Sequence, residues 1–253
     1  MLTLSTSARK LGTMARTPAR PARKRADRYH HGNLRRALLQ AAVRTIGTHG
    51  VDGLTLRGVG STLGVSRTAL YRHFTDKAAL LAAVAAEGFR VLREETAGAW
   101  EDGGRGLRGF EAMGAAYVAF AVAHPSHYRV MFGSFVESCA KDAELVQEAT
   151  AAFQVLVDSL VEQQQAGLVR RDDPLMLARF IWSMVHGIAM LAIDGQLGGV
   201  DQRGEALSRY AVARIREAIR DPGSGIRGPG SGIRDPGSGV RDPAKGQGQR
   251  AKV

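Results

Sequence analysis

From Gly32 to about Ile219 apolar residues return at three- and four-residue spacing, and no stretch alternates apolar with polar for long. That feature excludes a sheet of any size and sets the fold class as all-α. Leu34, Leu38, Ala42 and Ile46 stripe a first helix that Gly50 and Gly53 end. Thr55 is placed to cap a short second helix with Leu56, Val59 and Leu63 on its inner face. No capping box supports it, because Gly58 stands where a glutamate is wanted. Gly64 supplies a tight turn, and Ser66 caps a third helix running to about His73. A long fourth helix opens at residues 75–77 and runs to about Ala97. Further helices are expected at 107–123, 126–138, 142–166, 174–193 and 202–219, with Pro125 as a breaker and Pro174 at a helix start.

A chain of 253 residues with 44% apolar and 23% charged content can bury a real core. Its net charge of +11 is unevenly placed. Residues 1–28 hold eight Lys and Arg against Asp27 alone, and residues 29–80 hold seven against Asp52 and Asp76. Residues 81–219 hold thirteen basic side chains against eighteen acidic ones. A basic N-terminal third joined to an acidic remainder suits a polyanion-binding module carrying a different module behind it. Plain solvated surface charge does not account for that asymmetry.

Cys139 is the only cysteine, so an intramolecular disulfide and a four-cysteine zinc site are both excluded. Residues 1–28 lack the apolar run of a signal peptide and read as a disordered basic arm; Met14 is a second candidate start. Residues 175–193 are the nearest thing to a membrane span, but Arg179, Ser183 and His186 interrupt them. A charge at mid-membrane costs about 2.5–3.5 kcal/mol, so a core or dimer-seam helix is expected and no membrane. After Ile219 a seven-residue unit (Ile219 to Gly225) recurs from Ile226 and Ile233 and restarts at Val240. Its Pro and Gly rule out a coiled coil, and the tail reads as disordered.

Residues 55–77 carry the function. Two short helices separated by Leu63, Gly64 and Val65 have the spacing of a helix-turn-helix. With Val65, Leu70 and Phe74 facing inward, Arg67, Thr68, Tyr71 and Arg72 share the opposite side. A guanidinium for guanine edges, a hydroxyl with a methyl for thymine and a phenol for phosphate suit major-groove reading.

Tyr29 to Leu34, the run 55–77, and Ala78, Ala79 and Leu80 together resemble the DNA-binding domain of the tetracycline-repressor (TetR) family. The most specific part is Gly64, Val65, Ser66, Leu70, Tyr71, His73, Phe74 and Lys77. The resemblance implies a DNA-binding set of Thr55, Arg57, Ser66, Arg67, Thr68, Tyr71, Arg72, His73 and Lys77. Thr55, Ser66, Tyr71 and Lys77 would hold phosphates, while Arg67, Thr68 and Arg72 would read bases. His73 is turned toward the core side. The sequence departs from the family at Gly58 and Gly60, where alanine-rich helix is usual, and each glycine costs about 1 kcal/mol there.

A second resemblance rests on Ala123 to Phe132 and on Trp182, His186 and Gly187, and is to the TetR subgroup with a Trp…His-Gly motif in the ligand domain. It implies a long fourth helix linking the DNA-reading head to a ligand domain, and a four-helix bundle with a partner subunit. Residues 175–193 with Leu207, Ala211, Ile215 and Ala218 suit that seam. Met113, Tyr117, Tyr128, Phe132, Phe153, Trp182 and His186 are the candidate effector-pocket residues, with Met131 and Met184 as further apolar lining. For each, an ordinary core role is the competing reading.

No metal site is expected: His124 and His127 are separated by Pro125, which places them on different elements. No nucleophile elbow, P-loop, dinucleotide fingerprint or zinc-protease motif is present, so no enzyme and no cofactor is expected. The chain is thus expected to comprise a basic arm (1–28), a helix-turn-helix domain (29–76), a helical ligand-binding and dimerisation domain (77–220) and a tail (221–253). Its expected action is that of a cytoplasmic repressor, binding a palindromic double-stranded operator as a homodimer and released by a small, mostly apolar effector. An architectural DNA binder indifferent to sequence is the competing class.

Overall fold

The computed structural model describes residues 31–134, 141–198 and 203–221. The basic arm, Cys139 and almost all of the C-terminal repeat lie outside them. The described residues form helices α1 (His31–His49), α2 (Leu56–Thr62), α3 (Arg67–Tyr71), α4 (Lys77–Asp102), α5 (Gly106–Ala123), α6 (Pro125–Met131), α7 (Ala143–Gln165), α8 (Pro174–Ile193) and α9 (Glu205–Ile219). Among them there is no strand; one isolated bridge joins Val169 to Arg220. The chain divides into two compact units between Leu80 and Leu81, inside the first turn of α4.

In the first unit α2 packs against α1 and α3 against α2. Leu38, Ala42 and Leu54 are fully enclosed, and Val59, Leu70 and Phe74 close the core from the other side. Each such Leu or Phe contributes about 1.5–3 kcal/mol relative to leaving it in water. Leu63 and Val65 are only half-buried. Thr55 accepts a hydrogen bond from the Gly58 amide at 3.0 Å, and Ser66 accepts one from Ala69 at 3.2 Å, as the sequence predicted for both caps. A Cβ at position 58 would stand 2.8 Å from the Thr55 hydroxyl, so glycine there keeps the cap unobstructed. Gly64 adopts φ +63°, the left-handed conformation that glycine takes without strain. The predicted third helix is shorter than expected. It ends at Tyr71, and the His73 and Phe74 amides both donate to the Leu70 carbonyl in a tightened final turn.

In the second unit α5 packs against both α8 and α9, with α7 against α8 and α6 against α5. Gly114 permits the α5–α9 approach, since a Cβ there would meet Val212 Cγ2 at 2.7 Å. Three expectations are corrected. The fourth helix continues past Ala97 to Asp102, because Trp100, buried at its end, holds the next turn against the core. The helix predicted over 126–138 stops at Met131, with Phe132 capping it. Ala211 and Ile215, assigned to a dimer seam, are buried within their own subunit, where α9 packs against α5 and α8.

Candidate functional site

Two constellations carry chemistry, one in each unit. In the first, Arg67, Thr68, Tyr71 and Arg72 are all exposed, on a helix whose opposite side is anchored by Leu70. Tyr71 is 45% exposed, an unusual position for so large a ring, and the Arg67 guanidinium lies over it at 5.5 Å from the centroid. That stacking orients a long side chain in advance and lowers the entropy it would lose on making a further contact. Thr55, Arg57 and Ser66 are also exposed. In capping, the Thr55 and Ser66 oxygens act as acceptors, so each O–H remains able to donate to a phosphate oxygen. His73 and Lys77 are half-buried, and the Lys77 ammonium reaches the Asp52 carbonyl at 3.4 Å. Arg35 lies over the Phe74 ring rather than on this face.

The second unit contains a cavity of about 380 Å³, walled by α4, α5, α7 and α8 with one residue each from the end of α6 and from α9. Met113, Tyr117, Phe132, Phe153 and Trp182 line it, five of the seven residues singled out from the sequence. Tyr128 and His186 do not; they stand behind Tyr117, joined to it by hydrogen bonds. Met131 is in the core and Met184 faces outward, 43% exposed, so neither lines the cavity. Phe89, Leu92, Thr96 and Phe110 are among the further residues of the wall, and Arg179 is the charged one. Sequence reasoning missed them because their helical faces look like any other core stripe until two helices diverge.

Behind the cavity lies a buried polar chain. Trp182 Nε1 donates to the Tyr117 hydroxyl at 3.0 Å; the Tyr117 and Tyr128 hydroxyls are 3.0 Å apart; and Tyr128 Oη lies 2.7 Å from His186 Nδ1. Every proton finds an acceptor if the order runs Trp182 to Tyr117 to Tyr128 to His186, with the imidazole neutral and its proton on Nε2. Burial pushes the Tyr117 hydroxyl up to about 12, against the opposing pull of its bonds to Tyr128 and Trp182. Burial, followed by the proximity of Tyr117, drives Tyr128 further in the same direction. Burial also lowers the His186 pKa below its ordinary value, in keeping with a neutral ring.

His124 and His127 are not separated as expected. His124 caps α6, His127 lies within it, and their rings meet edge to face at 5.8 Å. Each faces a glutamate of α4, Glu95 at 3.8 Å and Glu87 at 3.7 Å. Among the described residues no group of three or more metal-ligating side chains converges.

Residues 38–84 match the family described as bacterial regulatory proteins, tetR family, and residues 110–215 match the tetracyclin repressor-like C-terminal domain. The HTH-type transcriptional repressor AcnR of Corynebacterium diphtheriae is 38% identical over 63 residues, a match spanning 25% of this chain and 33% of that protein. A structure of a Rhodococcus sp. RHA1 protein, described as of unknown function, is 33% identical with a TM-score of 0.69, covering 77% of this chain and 99% of that one. A tetR-family regulatory protein from Rhodococcus RHA1 shares the fold at 16% identity and a TM-score of 0.60, covering 74% of this chain and 97% of that one. With both domain types matched in the expected order, and an α3 that presents its polar face outward, the chain belongs to the tetR family of bacterial regulatory proteins and is a DNA-binding transcriptional regulator, not an enzyme.

Proposed function

We propose that this regulator is a cytoplasmic repressor that grips a palindromic operator as a homodimer and is released by a small, mostly apolar effector bound in the α4–α9 cavity. The observation that carries the reading is the exposure of Arg67, Thr68, Tyr71 and Arg72 together on capped α3. Two such helices entering successive major grooves need a separation of about 34–36 Å. The repressor assignment draws on the name of the C. diphtheriae relative, whose match is confined to a quarter of this chain.

Support for a homodimer comes from α8. Leu177, Ala178, Ile181 and Val185 face the core, whereas Met176, Phe180, Met184 and Leu191 form an outward apolar stripe, with Tyr210 of α9 also exposed. Contiguous exposed apolar surface of this kind marks an interaction face. The stripe replaces Ala211 and Ile215 as the proposed seam. Alone among the described residues, α8 is also long and apolar enough to cross a membrane; a second copy of the chain is the occupant proposed here.

Release requires that the effector bind better to a conformer with poor DNA affinity. Helix α4 supplies Phe89, Leu92 and Thr96 to the cavity wall and begins within the DNA-binding unit, which makes it the proposed relay. Selection of bound sequences from a random DNA pool tests the reading. Enrichment of two inverted half-sites supports it, and binding without sequence preference assigns the chain to the architectural class instead.

A further inference from the structure

We propose that the effector is an amphipathic anion, an apolar body bearing one carboxylate or comparable acidic head, and that Arg179 is the residue that selects the head. The proposal rests on the reading of the cavity as the effector site. It follows from which hydrogen-bonding groups the cavity wall leaves unspent.

The polar side chains in the wall are already engaged with the protein itself. Thr96 donates to the Leu92 carbonyl at 2.8 Å, and the Trp182 N–H is used on Tyr117. The Tyr117 hydroxyl is already engaged with Tyr128 and His186. The wall around these groups is aromatic and aliphatic. A ligand body carrying its own donors and acceptors would lose water there without gaining partners, a loss that makes apolar bodies the favoured guests. The volume of about 380 Å³ matches about a dozen waters, and so a body of about that many non-hydrogen atoms or more.

Arg179 is the exception. Among the described lining residues it is the only one with a charge. It is exposed, and it makes no ion pair with any described residue. Arg93, next in sequence to the lining Leu92, already holds Glu148 at 3.3 Å. On α8, Arg179 precedes the cavity residue Trp182 by three positions and follows the outward Met176 by three, so it stands where the lined flank of the helix turns toward solvent. A forked donor at the rim of an apolar cavity, with no acid on the wall to neutralise it, pairs with a carboxylate in a way no other lining residue here can.

The test uses matched pairs of ligands and the full-length protein. Decanoate is compared with 1-decanol, and 4-phenylbutyrate with 4-phenylbutan-1-ol, by quenching of tryptophan emission, to which Trp100 and the cavity residue Trp182 both contribute. The proposal predicts that within at least one pair the carboxylate binds about fivefold or more tightly than the alcohol. Arg179→Gln should abolish that difference by weakening the acid alone, and Arg179→Lys should restore part of it. Unchanged alcohol binding in Arg179→Gln shows that the fold and cavity are intact. Equal affinity of acid and alcohol, or equal weakening of both in Arg179→Gln, overturns the anion proposal while leaving the cavity reading in place. So does a change in dimer mass with no change in ligand preference, which would assign Arg179 to the seam. Failure of all four probes to bind overturns the cavity reading, and the proposal with it.

Discussion

His186 shows how one side chain links burial to pH. Its neighbours Tyr117 and Tyr128 are both held protonated by burial, so of these hydrogen-bonded groups the imidazole is the one that can take up a proton as pH falls. Its folded pKa lies below the unfolded value of about 6.5. The unfolded chain therefore takes up the proton first as pH falls, and the stability that depends on the neutral ring is present above about pH 6.5 and declines below it. Thermal unfolding between pH 8 and pH 5 should show this decline, and His186→Gln should flatten that part of the profile. Tyr117→Phe removes the acceptor of the Trp182 N–H and the donor to Tyr128 together. It should cost about 1–3 kcal/mol in denaturant unfolding; a change below a few tenths would mean that the chain of hydrogen bonds contributes little.

At the scale of single elements, local rules were legible and partner choice was not. The Thr55 and Ser66 caps and the Gly64 turn depend on neighbours within a few residues, and the structure shows all three where the sequence put them. The end of α4 lies at Asp102, beyond the expected Ala97. Gly98 inside that helix costs about 1 kcal/mol, less than the burial of Trp100 two residues later returns. On α9 the apolar stripe is legible, but Ala211 and Ile215 of it pack within their own subunit, since periodicity identifies a face and says nothing of what covers it. Cavity residues on α4 escaped notice for the same reason. Interface assignment is testable here: Phe180→Glu, on the outward stripe of α8, should convert a dimer to a monomer in sedimentation equilibrium while leaving helix content unchanged. A dimer that persists would move the seam elsewhere.

Taken as a whole, the molecule separates its tasks by charge as well as by fold. Residues 29–80 are basic and carry the exposed α3 face, while residues 81–219 are acidic on balance and enclose the cavity. The division at Leu80 puts the exposed α3 face in one compact unit and the apolar cavity in the other. Base-edge reading by the outward face of α3 can be measured in a base-substitution scan of a selected half-site, run with the wild-type protein and with Arg67→Ala. If Arg67 holds a guanine edge, one base pair in each half-site should lose about 1–3 kcal/mol of discrimination in the variant while the others keep theirs. Uniform weakening at every position, or no weakening at all, would contradict it.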